Sequence, residues 1–172
     1  PPEINPELKD QLVTYNSPLE FECSLGGVPT PEILWTKDGL HISNKNILRI
    51  RQARFEDSGK YTCRANNSEG SKNSTFWIEV AVSPQIITPP ISRYVTEGDR
   101  VDLICRASGV PKPTLVWTFN NGNLPSGINQ FNRKGESNLV LPSVTKEMNG
   151  TYKCTAKNKA NTAAYSAALR VY

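Results

Sequence analysis

The chain has 172 residues, 37% of them hydrophobic, and 20 basic against 16 acidic side chains give it a net charge of +4. This length allows one large domain or two small ones, and the composition is that of an ordinary globular protein. The longest apolar stretch, residues 76–82, contains Glu79 and is far shorter than the roughly 20 residues of a membrane-spanning helix. Any attachment to a membrane is therefore expected only through parts outside this fragment.

The first predicted strand with a clear alternation covers residues 19–23. Leu19, Phe21 and Cys23 alternate with Glu20 and Glu22, which is the period-2 pattern of a strand with one buried face. Residues 61–65, 101–105 and 152–156 repeat this pattern, and no segment shows the 3.6-residue apolar period of a helix. The sequence predicts an all-β fold.

The two halves of the chain repeat one another. Residues 23–35 and 105–117 both read Cys-x3-Gly-Val-Pro-x-Pro-x-apolar-x-Trp, and residues 59–67 and 150–158 both read Gly-x-Tyr-x-Cys-x-Ala-x-Asn. Agreement at so many fixed offsets indicates a duplicated unit of roughly 80 to 90 residues. We expect one domain over residues 1–82 and a second over residues 83–172.

Cysteine and histidine usage argues against metal binding and catalysis. The four cysteines include no C-x-x-C pair, and His41 is the only histidine. A zinc site is poorly supported, and a serine or cysteine nucleophile would lack its usual base. No phosphate-binding glycine-rich loop is present. We predict a binding protein with no metal, no cofactor and no enzymatic activity, whose even cysteine number indicates two disulfides and an oxidising compartment.

The Cys…Trp…Cys spacing, with a tyrosine two residues before the second cysteine, resembles the immunoglobulin superfamily over essentially the whole chain. The short intervals from the tryptophan to the second cysteine and the Cys-x-Ala-x-Asn ending resemble its I-set, which is common in adhesion molecules, axon-guidance receptors and receptor-kinase ectodomains. The resemblance implies two Greek-key β-sandwiches in tandem. It also implies the disulfides Cys23–Cys63 and Cys105–Cys154, each between two sheets, and a core role for the following residues: Trp35, Trp117, Tyr61 and Tyr152.

Trp77 is the main candidate for contact with a partner protein. Alignment with the end of the second repeat turns Phe76 and Ile78 inward and leaves Trp77 facing solvent, on a sheet shared with Leu34, Thr36 and Arg64. An exposed tryptophan beside an arginine is the kind of anchor that dominates interfaces. The alternatives are a bulge that turns Trp77 inward, or cover by side chains or glycan. Immunoglobulin domains often pair through this sheet, so the resemblance makes homophilic contact one hypothesis.

Charge divides unevenly between the halves. Residues 1–82 carry 9 basic and 11 acidic side chains, a net −2, and residues 83–172 carry 11 and 5, a net +6. The alternation places basic side chains on one outward face of the second unit, namely Lys153, Lys157, Lys159 and Arg170. Such a face is a candidate site for heparan sulfate or another anionic partner. The alternative is an ordinary solvated surface, and nucleic acid is not expected, because no aromatic residues interleave with the charges.

Three N-glycosylation sequons begin at Asn66, Asn73 and Asn149. With 16 Asn and 27 Ser plus Thr residues, chance alone produces about as many, so the sequons are weak evidence of secretion. The leading hypothesis is an extracellular recognition segment of an adhesion molecule or receptor that binds a protein ligand or a like molecule on another cell. The alternatives are a heparan-sulfate-binding ectodomain and a titin-like intracellular structural pair.

Overall fold

The computed structural model describes residues 1–172 and confirms the all-β prediction. Its only helical segments are two single 3₁₀ turns, Phe55–Asp57 and Lys146–Met148. No helix therefore has the length or the apolar run that crossing a bilayer requires. The chain divides into two compact units, Pro1–Ala81 and Val82–Tyr172.

The first unit is a sandwich of short strands. In chain order these are β1 (Glu3–Ile4), β2 (Gln11–Thr14), β3 (Leu19–Glu22), β4 (Ser24–Gly26), β5 (Glu32–Lys37), β6 (Leu40–Ser43), β7 (Ile47–Ile50), β8 (Gly59–Asn67) and the part of β9 (Gly70–Thr88) that ends at Ala81. One sheet has the order β2-β9-β8-β5-β6, with β2 parallel to β9 and the other pairs antiparallel. The opposite layer consists of the antiparallel pairs β3–β7 and β1–β4.

The second unit repeats this plan with one change of strand. It contains the remainder of β9, from Val82, and then β10 (Arg93–Val95), β11 (Val101–Val110), β12 (Thr114–Phe119), β13 (Asn129–Arg133), β14 (Glu136–Leu141), β15 (Gly150–Lys157) and β16 (Thr162–Val171). One sheet has the order β10-β16-β15-β12, with β10 parallel to β16. In the other, β11 pairs with β9 and β14, and β13 forms the edge beyond β14. The first unit has no strand in the position of β13, and has instead β6, which pairs with β5 at the edge of its other sheet.

A disulfide and a buried indole lie at the centre of each sandwich. The bridges Cys23–Cys63 and Cys105–Cys154 are both present, with Cα–Cα distances of 5.9 and 6.5 Å, so the predicted disulfides are confirmed. Each joins the two layers of its own unit. The side chains packed around them are buried because they occupy the inward positions of the alternation; they include Trp35, Phe76, Trp117 and Leu139.

One buried tyrosine in each unit holds the turn that precedes its own strand. The Tyr61 hydroxyl donates a hydrogen bond of 2.7 Å to the carbonyl oxygen of Asp57, and the Tyr152 hydroxyl donates one of 2.8 Å to that of Met148. Burial raises the pKa of both phenols to about 12, and the nearby carboxylates of Asp57 and Asp38 add to the effect at Tyr61. The 3₁₀ turns differ between the repeats. The Asp57 carboxylate accepts a bond from the Arg54 backbone N–H, whereas Met148 packs into the core.

The two indole N–H groups find different partners. Trp35 Nε1 donates to the backbone carbonyl of Lys45 at 3.0 Å. Trp117 Nε1 donates to the hydroxyl of the buried Ser137 at 2.9 Å, and that hydroxyl donates in turn to Asn132 Oδ1 at 2.5 Å. The second unit therefore satisfies its buried indole with a side chain that mutation can remove.

Candidate functional site

The outward face of the β2-β9-β8-β5-β6 sheet carries the residues predicted to contact a partner. Trp35, Cys63 and Phe76 fill the inward positions of three neighbouring strands, so their sequence neighbours point to solvent. Trp77 is 55% exposed. The inward bulge that was the alternative for Trp77 is therefore absent.

Trp77 lies at one end of this face, between strands β8 and β2. It is directly opposite Lys60 on β8, and on its other side the parallel strand β2 places the exposed Leu12 opposite Glu79. Its backbone N–H donates to Asp10 Oδ1 at 2.8 Å, which ties the strand in place without using the indole. We call the surface formed by Trp77, Leu12 and Lys60 the Trp77 patch.

Leu34 and Arg64 lie at the other end of the same face. They are opposite one another on β5 and β8, and Arg64 is also opposite Asn73 on β9. Asn73 and Trp77 are four residues apart on one strand, which corresponds to roughly 13 Å. Arg64 Nε donates to Ser71 Oγ at 3.0 Å, so its guanidinium leans away from Trp77.

A row of threonines separates these two ends. Thr36 is opposite Thr62, which is opposite Thr75, and the hydroxyls of the latter two lie 3.0 Å apart. The four predicted contact residues thus share one face but do not form one cluster. Sequence reasoning missed Leu12 and Lys60, the residues that do flank Trp77.

A shallow groove of about 760 Å³ lies at the end of the face that carries Leu34 and Arg64. It is bordered in part by carboxylate and amide side chains, among them Glu32, Asn44 and Asn66. The groove contains no nucleophile paired with a base. His41, the only histidine, is exposed, and its Nε2 lies 2.7 Å from Asn44 Oδ1. No three His, Cys, Asp or Glu side chains in the structure are grouped so as to hold a metal ion.

The basic side chains of the second unit are spread along its β10-β16-β15-β12 sheet. Lys153 is half-buried opposite Ser166, and Lys157 is exposed four residues further along β15, roughly 13 Å away. Arg170 is exposed on β16 beside Tyr94 of β10, and Lys159 lies beyond the end of β15. The structure therefore shows a sparse line of positive charge rather than a dense cluster.

Two of the three sequon asparagines lie together. Asn66 on β8 and Asn73 on β9 are exposed on the outward face of the first unit's β2-β9-β8-β5-β6 sheet, diagonally across the pair of strands. Asn149 lies in the second unit after the 3₁₀ turn, where its Oδ1 accepts a 2.9 Å hydrogen bond from the Val171 backbone N–H.

Comparison with known proteins agrees with this architecture. Hemicentin-1 of Homo sapiens is 37% identical over 167 residues, which span 92% of this chain and 3% of hemicentin-1. The human protein "Cell adhesion molecule-related/down-regulated by oncogenes" is 31% identical over 204 residues, spanning 98% of this chain and 16% of that protein. The chain thus matches only a small part of these curated relatives.

Among solved structures, extracellular domains 3–5 of Drosophila OTK superpose with a TM-score of 0.82 at 27% identity, covering 100% of this chain and 62% of that one. The family model described as "Immunoglobulin domain" matches residues 1–67 and again residues 83–158. Two matches of this extent, each containing one disulfide and one buried tryptophan, establish that the chain belongs to the immunoglobulin-domain family.

Proposed function

We propose that this segment is an extracellular recognition module of a cell-surface adhesion molecule or receptor, and that it binds a protein partner through the Trp77 patch. The observation that carries the proposal is the exposed indole between an apolar and a basic side chain on the outward face of a sheet. Tryptophan in such a setting contributes disproportionately to binding. The relatives named above include a cell adhesion molecule-related protein and the extracellular domains of OTK.

An extracellular location fits the sulfur chemistry of the chain. All four cysteines form disulfides, which persist in oxidising compartments and are rare in the cytosol. An intracellular structural pair is the competing function. Thiol titration of freshly isolated native protein separates the two: we expect no reactive thiol, and four reactive thiols would contradict the extracellular assignment.

Binding through the Trp77 patch is tested with Trp77→Ala. Leu25→Ala is a matched control, because Leu25 is 54% exposed but lies on β4, outside this sheet. We measure self-association by sedimentation at several concentrations, and attachment of the multimerised chain to a panel of cells. An interface anchor of this type contributes at least about 2 kcal/mol, or roughly 30-fold in Kd.

We expect Trp77→Ala to weaken whichever of the two associations occurs, while both variants keep the melting temperature of the parent chain. If the parent chain binds and Trp77→Ala binds equally well, the patch is not the contact surface. A large fall in melting temperature for Trp77→Ala alone would assign Trp77 a role in folding instead.

A second candidate function is binding of an anionic polysaccharide such as heparan sulfate by the second unit. The observation in its favour is the net charge of +6, with Lys153, Lys157 and Arg170 on one sheet. The double variant Lys153→Glu, Lys157→Glu is compared on a heparin column with the double variant Lys134→Glu, Lys146→Glu, which changes the net charge equally at two exposed lysines outside this sheet. Elution of the Lys153→Glu, Lys157→Glu variant at clearly lower salt than the control supports the site, and elution at the same salt contradicts it.

A further inference from the structure

We propose that Asn66 and Asn73 both carry N-linked glycans, and that these two glycans cover the end of the first unit's outward face at Leu34 and Arg64. The proposal concerns a covalent modification and does not depend on the partner-binding role of the Trp77 patch. It follows from where the fold places two sequons that lie seven residues apart in the chain.

The hairpin between β8 and β9 brings the two asparagines together. Arg64 is opposite Asn73 and Asn66 is opposite Ser71, so the two asparagines occupy one diagonal of a four-residue block. Diagonal positions of this kind are about 7–8 Å apart. Arg64 and Ser71 occupy the other diagonal and bond to each other. Two glycans attached here would flank Arg64, one from further along β8 and one from across on β9, and the glycan at Asn66 would also lie diagonally from Leu34.

The side-chain amides of Asn66 and Asn73 are available for modification. Both residues are exposed and the structure shows no side-chain hydrogen bond for either. Their neighbour Asn67 provides a contrast, because its Nδ2 donates to the Pro29 carbonyl and its Oδ1 accepts from the Glu69 N–H. Asn149 also has a structural hydrogen bond and is not part of the proposal.

The modification requires an oligosaccharide carried on a polyprenyl diphosphate. The asparagine Nδ2 forms a bond to the first sugar carbon while the bond from that carbon to the diphosphate oxygen breaks. The diphosphate leaves with the electron pair, and the amide nitrogen loses one proton. One amide N–H is replaced at each asparagine, and neither side chain contributes a hydrogen bond to the sheet, so the fold accommodates both glycans.

The chain itself offers a direct way to read each site. Trypsin cleaves after Arg64, Lys72 and Arg93, which places Asn66 in the peptide 65–72 and Asn73 in the peptide 73–93. The chain is secreted from eukaryotic cells, treated with peptide N-glycosidase in ¹⁸O-water and digested. We expect both peptides to show conversion of the sequon asparagine to ¹⁸O-labelled aspartate. Absence of the label in either peptide would overturn the proposal.

Matched variants keep both asparagines and remove only the sequons. Ser68→Ala is expected to abolish the label at Asn66 alone, and Thr75→Ala to abolish it at Asn73 alone. Coverage of the face is then read by hydroxyl-radical footprinting of the parent chain against the Ser68→Ala, Thr75→Ala double variant.

We expect Leu34 to be oxidised several-fold less in the glycosylated parent than in the double variant, with equal oxidation of Leu25 on the other layer. Equal oxidation of Leu34 in both chains would refute the coverage. These readouts involve no binding partner, so they succeed or fail independently of the recognition function.

Discussion

Removing one buried hydroxyl tests how the second unit provides a hydrogen-bond acceptor for the indole N–H of its central tryptophan. Ser137→Ala deletes the oxygen that accepts the hydrogen bond from Trp117 Nε1 and donates to Asn132. Ser137 is fully buried, so water does not readily replace the lost acceptor. Asn132 is exposed and can bond to solvent instead. The cost is therefore mainly that of one buried, unsatisfied indole N–H.

An unsatisfied buried donor costs about 1–3 kcal/mol, which for a unit of this size lowers Tm by at least about 4 °C. The assay is urea unfolding monitored by peptide-resolved hydrogen exchange, which reports the stability of each unit separately. The control is Ser143→Ala, an exposed serine in the turn after β14. Both hydrogen-bond partners of Ser137, Trp117 and Asn132, belong to the second unit, so the stability of the first unit should not change. If Ser137→Ala matched Ser143→Ala to within about 0.5 kcal/mol, the hydroxyl would not be the partner that stabilises Trp117.

Two further predictions concern the core. The folded-state pKa of Tyr61 and Tyr152 is raised to about 12, so the unfolded chain releases these two protons first as the pH rises. The stability that the two phenols contribute is therefore complete below pH 10 and is lost as the pH rises from about 10 to 12. Urea unfolding across this range should show a steeper loss for the parent than for the Tyr61→Phe, Tyr152→Phe variant; parallel curves would contradict the shift. Replacing Cys105 and Cys154 by Ala opens a loop of 49 residues and should destabilise the second unit by about 4 kcal/mol. Hydrogen exchange should accelerate in that unit alone, and equal acceleration in both would argue against independent cores.

The alternation and the cysteine spacing were sufficient to predict the fold class. Leu19, Phe21 and Cys23 define an inward face on their own, because side chains of a strand alternate whatever it pairs with. The Cys-to-Trp interval of 12 residues and the Tyr-to-Cys interval of 2, which are equal in the two halves, carry the resemblance to the immunoglobulin superfamily, and that resemblance implies a sandwich with one bridge per repeat. These features are local in the chain, which is why one sequence was enough.

The composition of the Trp77 patch was not predictable in the same way. Trp77 was placed on an outward face from the alternation of its own strand, but Leu12 reaches it only through the parallel pairing of β2 with β9, about 65 residues away in the chain. The distance between Trp77 and Arg64 likewise depends on the register of the β8–β9 hairpin. Register is set by turn geometry and by packing of the whole sheet, so residue patterns alone cannot supply it.

Each disulfide closes within its own unit, and this has a consequence for how such chains can change over time. The covalent loops 23–63 and 105–154 never cross the boundary at Ala81 and Val82. A copy of the unit can therefore be inserted or deleted without leaving an orphaned thiol in its neighbour. The number of units is free to vary, because each copy forms its one disulfide from its own two cysteines.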